Sequence, residues 1–269
     1  TPGTVDRQSE PDFRRWCDGL GPLLGVTLDV RYTPLLPRTT ALELVSRSDY
    51  GTDPQTRTAV LRFAPASTPR GWRHWVPAGL PAFETGDLLG VMAPGGAAPR
   101  YYSLASSSAD GVVEICVRRQ SGGVCSTFLT DLQPGDRIDA FVRLHESFRP
   151  QAGSAPVILV GAGTGIGPLI GFIRHNPVQR PMHLYFGARS ADDGFLYRDE
   201  LQQLLRERRL GSLTTAFSRA SGRAYVQDRL VDDAQRLRDC IAQGAQVLVC
   251  GGRRMAEGVA DAWERILAG

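Results

Sequence analysis

Lysine is missing altogether: all 31 basic residues in this chain of 269 are arginine. Without an ε-amine there is no Schiff-base lysine, no catalytic amine and no phosphate-loop lysine, which excludes pyridoxal chemistry and ordinary P-loop nucleotide hydrolysis. Cysteine is sparse and odd in number, five residues at 17, 116, 125, 240 and 250 with no CxxC pair. Reduced thiols are therefore expected, with no disulfide framework, zinc site or iron–sulfur cluster. The four histidines are scattered, which argues against a histidine-based metal centre. No apolar run approaches the roughly 20 residues that cross a bilayer, and no basic-then-apolar leader opens the chain. The sequence reads as soluble and cytoplasmic. It begins at Thr1 rather than methionine, so an upstream domain or anchor is expected to be the source of any membrane contact. The net charge of +3 is mild and no block of like charge forms a nucleic-acid tail.

What is present suffices for two domains. A hydrophobic content of 42% supplies a core of ordinary size. Residues 1–26 are polar and rich in Pro and Gly apart from a short helix in PDFRRWCDGLGPLL, and read as a linker or the tail of an upstream domain. Residues 27–150 carry short β-branched or alternating runs: TALELVS, TAVLRFAP, DLLGVMAP, RYYSLASS, VVEICVRR and DRIDAFVRL. Such runs between turn residues predict an antiparallel β-barrel or sandwich. The intervening GWRHWVPAGLPAFETGD is read as loop. Residues 151–269 change rhythm, with continuous apolar strands (APVILVG, MHLYFGAR, LTTAFSR, QVLVCGG) each followed by an amphipathic helix, YVQDRLVDDAQRLRDCIAQG among them. That alternation predicts an α/β domain with a parallel sheet, whose ligands bind at the carboxyl ends of the strands.

The first of those strand ends, VILVGAGTGIGP, places Gly161, Gly163, Gly165 and Gly167 between a buried strand and a helix. Glycines there let backbone amides approach a pyrophosphate, and the helix N-terminus stabilises its charge. Ile166 stands where GxGxxG has its third glycine, and no acidic residue ends the next strand to hold the ribose hydroxyls of NAD. Taken alone, the loop also describes a tight connection. After the LTTAF strand come Ser218 and Arg219, then Arg223 and Tyr225. Two guanidinium groups with hydroxyl donors suit a ribose 2′-phosphate, which favours NADPH over NADH. Either arginine by itself reads equally as an exposed loop residue.

In their order, RYYSLASS, GGVCST, GAGTGIGP, LYFGARS with FLYRDEL, AFSRASGRAYVQDRL and VCGGRRMAEGV resemble the ferredoxin–NADP reductase superfamily over residues 35 to 267. They look most like the FAD- and NADPH-binding half of diflavin reductases. The resemblance implies an FAD-binding antiparallel β-barrel domain followed by an NADP-binding α/β domain with a parallel sheet. Its RxYS motif maps FAD binding onto Arg100, Tyr102 and Ser103, where Arg would pair with the pyrophosphate, Tyr pack on the isoalloxazine and Ser reach flavin N5. Without the family, YYS reads as core packing plus a turn. Further FAD contacts are implied at Cys116, Val117 and Arg118, and at the helix-opening turn of Gly123, Val124, Cys125 and Ser126. Cys125 is read as packing, without a redox role.

For NADPH the resemblance assigns Gly163, Thr164 and Gly165 to the pyrophosphate loop. It assigns Ser218, Arg219, Arg223, Tyr225 and Gln227 to the adenosine 2′-phosphate end. Cys250 matches the cysteine beside nicotinamide C4; read bare, it is a buried thiol at a strand end. Ser103 and Cys250 would flank the hydride path as catalytic residues. The implied activity is hydride transfer from NADPH to FAD with onward electron transfer, a flavodoxin-like FMN domain being the expected partner. A stand-alone reductase of free flavin or quinone, and a nucleotide-binding module without turnover, are the alternatives. Two departures stand out. The long helical insertion of diflavin reductases is absent between DLLGVMAPGGAAP and RYYS, and the chain stops at Gly269 before the aromatic residue that shields the flavin in the family. The FAD domain is accordingly expected to be compact. Either this sequence ends short of the shielding residue, or the flavin face is open and the nicotinamide stacks without displacing a shield.

Overall fold

The β-branched runs of the first half pair into six antiparallel strands: β1 (Thr40–Tyr50), β2 (Thr58–Pro65), β3 (Leu88–Val91), β4 (Arg100–Ser103), β5 (Val113–Arg118) and β6 (Arg137–Arg143). The computed structural model describes residues 10–26, 37–66, 80–96, 98–192 and 194–268. The strands hydrogen-bond in the order β4-β3-β6-β1-β2-β5, and a Leu104–Ile115 bridge joins the two edges. The sheet thereby curls into a barrel whose edge strands meet at that bridge. Alternation turns Leu42, Leu44, Leu61, Phe63, Leu89 and Ile115 inward, where helix α2 (Val124–Asp131) adds Cys125 and Leu129 to the same core. The helix expected near the start is α1 (Glu10–Leu24), whose Cys17 is buried while Leu23 and Leu24 face solvent. Of the stretch read as loop, residues 71–79 lie outside the described residues and the rest carries no strand.

The second half delivers the predicted alternation: β7 (Val157–Ala162), α3 (Ile166–Arg174), β8 (Met182–Ala188), α4 (Arg198–Arg206), β9 (Ser212–Phe217), then α5 (Val226–Asp232), α6 (Ala234–Ala242), β10 (Gln246–Cys250) and α7 (Arg253–Ala268). The four strands are parallel in the order β10-β7-β8-β9. Helices α3 and α4 cover one face with Leu169, Ile173, Leu201 and Leu204. Helices α5, α6 and α7 cover the other with Leu230, Leu237, Val259 and Ile266. The single helix expected over YVQDRLVDDAQRLRDCIAQG is broken into α5 and α6 at Asp233. Asp233 leaves helical geometry there, with φ −96° and ψ 19°, and its side chain accepts from the Tyr185 hydroxyl on β8 at 2.7 Å, giving a buried phenol the partner it requires.

The two units share a core. Val60, Ala105 and Cys116 of the barrel pack with Ile166, Leu169, Ile170 and Phe172 of the α/β unit. Helix α3 approaches closely because a Cβ at Gly171 would lie 2.5 Å from the Ala105 carbonyl oxygen. A polar knot crosses the same seam. Buried Glu114 accepts from Arg62 Nε at 2.5 Å, from Arg174 Nη1 at 2.9 Å and from the Tyr197 hydroxyl at 2.7 Å. Arg174 also donates to both carboxylate oxygens of Glu200, at 2.5 and 2.9 Å. Burial of Glu114 is compensated only by this set of donors. Asp87, fully buried, ties down the connection between the units by accepting from the His145 amide at 2.8 Å and from Arg149 Nη2 at 2.6 Å.

Candidate functional site

A cleft of about 690 Å³ opens at the carboxyl ends of the parallel strands. Its floor is the turn after β7, where Ala162, Gly163 and Thr164 face the space. Gly165 turns behind that floor. A Cβ there would stand 2.0 Å from the Cys250 carbonyl oxygen, so only glycine lets the loop lie against the end of β10. No atom lies within 4 Å of a Cβ built at Gly163, so the loop presents open backbone to the cleft. Ser218, Tyr225 and Gln227, singled out from the sequence, line the wall that follows β9. Arg223 lies over the Tyr225 ring, 5.0 Å from its centroid, and donates to its hydroxyl. Arg219 and Arg223 stand beside the lining rather than in it. Arg219 is held at the rim by its amide, which donates to the Arg189 carbonyl at 2.9 Å. Open backbone, hydroxyls and guanidinium groups form the donor set that a dinucleotide phosphate needs, and the arrangement fits that group.

The barrel residues proposed for flavin form a second cluster. Arg100 is exposed at the start of β4 and Tyr102 is half-buried. Burial, with the neighbouring Cys125 thiol, raises the Tyr102 phenol well above its ordinary value. The RYYS strand and the helix that follows the turn meet in the barrel core, where Tyr102 packs against the cluster that holds Cys125. Cys125 is buried in the barrel core and its thiol is raised chiefly by that burial, in keeping with packing. Two assignments take a different form. Val117 points into the barrel core, so it offers a ligand only its backbone. Ser126 spends its hydroxyl on the turn itself, accepting from the Gln120 amide at 3.1 Å and donating to the Gly123 carbonyl at 3.2 Å. The Gly123 amide is itself committed, donating to the Gln120 carbonyl at 2.9 Å, which leaves the amides that open α2, from Val124 onward, as the donors of this turn. The exposed arginine, the half-buried ring and the free helix start fit a flavin with its pyrophosphate.

The clusters meet at the seam. The Leu104–Ile115 bridge is antiparallel, so Ser103 is level with Cys116 on the neighbouring strand. Leu104 and Ile115 face the barrel core, whereas Cys116 belongs to the shared core with the α/β unit. By alternation Ser103 lies on that same outer face. The Cys116 thiol is 3.2 Å from the Tyr197 hydroxyl, and burial, above all, pushes it up to about 12 with Cys250 adding to the shift. Burial raises Cys250 to about 11. Both thiols are therefore neutral at physiological pH, as suits residues that pack and orient rather than react.

Several cleft residues escaped the sequence reading. Arg189 and Arg254 follow β8 and β10 and line the cleft, and the rule that ligands bind beyond strand ends points to both. Tyr50, Thr56 and Thr58 come from the β1–β2 hairpin of the other domain, and no sequence-local signal places them there. Arg118, assigned from the sequence to FAD, lines this cleft together with Thr164, at the boundary between the two proposed ligands. Among the described residues no cluster of metal-binding side chains occurs, and no helix is long and apolar enough to cross a membrane.

Residues 82–141 match the oxidoreductase FAD-binding domain and residues 159–261 the oxidoreductase NAD-binding domain. NADPH oxidoreductase A of Dictyostelium discoideum is 38% identical over 181 residues, which is 61% of this chain and 28% of that protein. Human NADPH–cytochrome P450 reductase is 37% identical over 195 residues, 63% of this chain and 29% of that protein. Nitric oxide synthase 3 of Sus scrofa is 39% identical over 198 residues, 63% of this chain and 16% of that protein. The chain thus matches less than a third of the length of each of these relatives. With both domains present in that order on the fold described, the chain belongs to the ferredoxin–NADP reductase superfamily and is akin to the FAD- and NADPH-binding half of diflavin reductases.

Proposed function

We propose that this chain takes hydride from NADPH onto a bound FAD and passes the electrons on to a one-electron acceptor. The observation that carries this reading is a cleft with walls from both domains, the glycine turn after β7 on one side and Arg118 and Thr58 of the barrel on the other. When bound, the flavin and nicotinamide supply the redox chemistry itself. The chain supplies orientation and shelter. Gly163, Thr164 and Gly165 hold the NADPH pyrophosphate, while Ser218, Arg219, Arg223, Tyr225 and Gln227 hold the adenosine 2′-phosphate end. Arg100 and the amides that open α2 from Val124 hold the FAD pyrophosphate, and Tyr102 packs against the ring system. Ser103 and Cys250 approach from the two domains and set the geometry of transfer, with neutral Cys116 and Cys250 keeping the seam apolar. Val60, Ala105, Ile166 and Leu169 form a buried apolar core behind it.

The acceptor in this reading is a flavodoxin-like FMN domain. Support comes from relatives named as cytochrome P450 reductases and from their length beyond the matched region. Arg219→Ala tests the nucleotide assignment. A charge-assisted contact is worth about 1.5–3 kcal/mol, so KM for NADPH rises roughly tenfold or more while KM for NADH stays near its starting value. Equal changes for both cofactors would remove Arg219 from the 2′-phosphate.

A further inference from the structure

The β1–β2 hairpin belongs to the barrel, yet Tyr50, Gly51, Thr56 and Thr58 line the nucleotide cleft of the other domain. Its tip is organised by Asp53. One carboxylate oxygen accepts from the Gln55 amide at 2.9 Å, the other from the Thr56 hydroxyl at 2.9 Å. With its proton committed to Asp53, the Thr56 hydroxyl has lone pairs to offer, and Arg189 Nη1 donates to it at 3.3 Å. The carbonyl of Arg189 accepts from the Arg219 amide, so the two arginines share one rim at the ends of β8 and β9. The Gln55 and Thr56 hydrogen bonds, and after them the charges of Arg189 and Arg219, hold the Asp53 carboxyl below its ordinary value. An exposed carboxylate of one domain thus lies in the field of the arginines that rim the other domain's cleft.

We propose that this hairpin tip is a cofactor-selectivity element: Thr56 orients Arg189 toward a phosphate monoester on the adenosine ribose, and Asp53 is a resident counter-anion that weakens the hold on that dianion. The proposal rests on the reading that the cleft takes the adenosine end of NADPH. A ligand dianion and the Asp53 carboxylate draw on the same cations, and they repel each other across a solvent-filled space. Because both are exposed, the repulsion is screened and the effect is a tuning of affinity rather than a block.

The test is calorimetric titration of the FAD-loaded full chain with adenosine 2′,5′-diphosphate and, as the ligand lacking only the 2′-phosphate, with adenosine 5′-monophosphate. Asp53→Asn keeps an acceptor for the turn and removes the charge. It is expected to tighten the diphosphate about two- to fivefold, to leave the monophosphate unchanged, and to lose its advantage at high salt. Thr56→Val removes the Arg189 acceptor and is expected to weaken the diphosphate about threefold, the loss of part of one neutral hydrogen bond. Diphosphate affinity in Asp53→Asn that is unchanged or weaker, in a wild type that prefers the diphosphate, overturns the hairpin's role and leaves the cleft assignment standing. A wild type that binds the two ligands equally overturns the cleft assignment itself.

Discussion

Replacing Glu114 with glutamine tests how the two domains are held together. The carboxylate is buried to 2% exposure and receives Arg62, Arg174 and Tyr197. Removing one partner of a buried ion pair costs about 3–5 kcal/mol, because the other charge is left uncompensated. Two features lower that figure here. The Arg62 side chain is 31% exposed and can rehydrate, and Arg174 keeps Glu200. Glutamine also retains the volume and an acceptor for Tyr197. The expected loss is therefore about 2–3 kcal/mol, below the range for breaking a fully buried pair. For a chain of this size each kcal/mol moves the midpoint by about 2–4 °C, so Tm falls roughly 5–10 °C. Urea and thermal unfolding measure it directly, with Glu114→Ala falling further because Tyr197 then loses its acceptor. A change below about 1 kcal/mol in both variants would mean that the knot contributes no more than a surface ion pair.

The remaining expectations concern the loop and the linker. Gly165→Ala drives a methyl group into the Cys250 carbonyl, 2.0 Å away, and displaces the loop that holds the pyrophosphate. Stability falls by about 1–3 kcal/mol, and NADPH affinity, read by titration, falls at least tenfold. For Asp87, burial alone would raise the carboxyl, but the Glu84 and His145 amides with Arg149 outweigh it and leave it below the ordinary value of 3.8. Its folded value lies below the unfolded one, so its stabilising contribution is full above about pH 4 and is lost as pH falls through the folded value. Unfolding measured from neutral pH into acid should show Asp87→Asn less stable at neutral pH and with a shallower acid decline; parallel curves would contradict this.

Much of this architecture is legible in the sequence because burial patterns are local. Runs such as TAVLRFAP and VVEICVRR announce antiparallel strands by alternation, and VILVGAGTGIGP announces a strand, a turn and a helix by its apolar run and glycines. What stayed hidden depends on distant partners. The partner of Asp233 at the junction of α5 and α6 is a phenol on β8, 48 residues away in sequence. The Ser126 hydroxyl looks free in GGVCST until the turn folds back on Gln120. Arg189 and Arg254 were within reach, since strand ends are where such sheets bind ligands, but the hairpin residues Thr56 and Thr58 enter the cleft only through the docking of two domains. Glu114 reads as one polar residue in a strand, and nothing near it names Arg174 or Tyr197 as partners.

In the proposed function, the seam at Ser103, Cys116 and Cys250 brings a reduced pyridine ring and a flavin ring face to face. Anaerobic titration of the FAD-loaded chain with NADPH tests it most directly, followed by the visible absorbance of the flavin. That absorbance is expected to fall in proportion to NADPH added, more slowly in Cys250→Ala with little change in NADPH affinity. A chain that binds both cofactors yet leaves the flavin oxidised would contradict it.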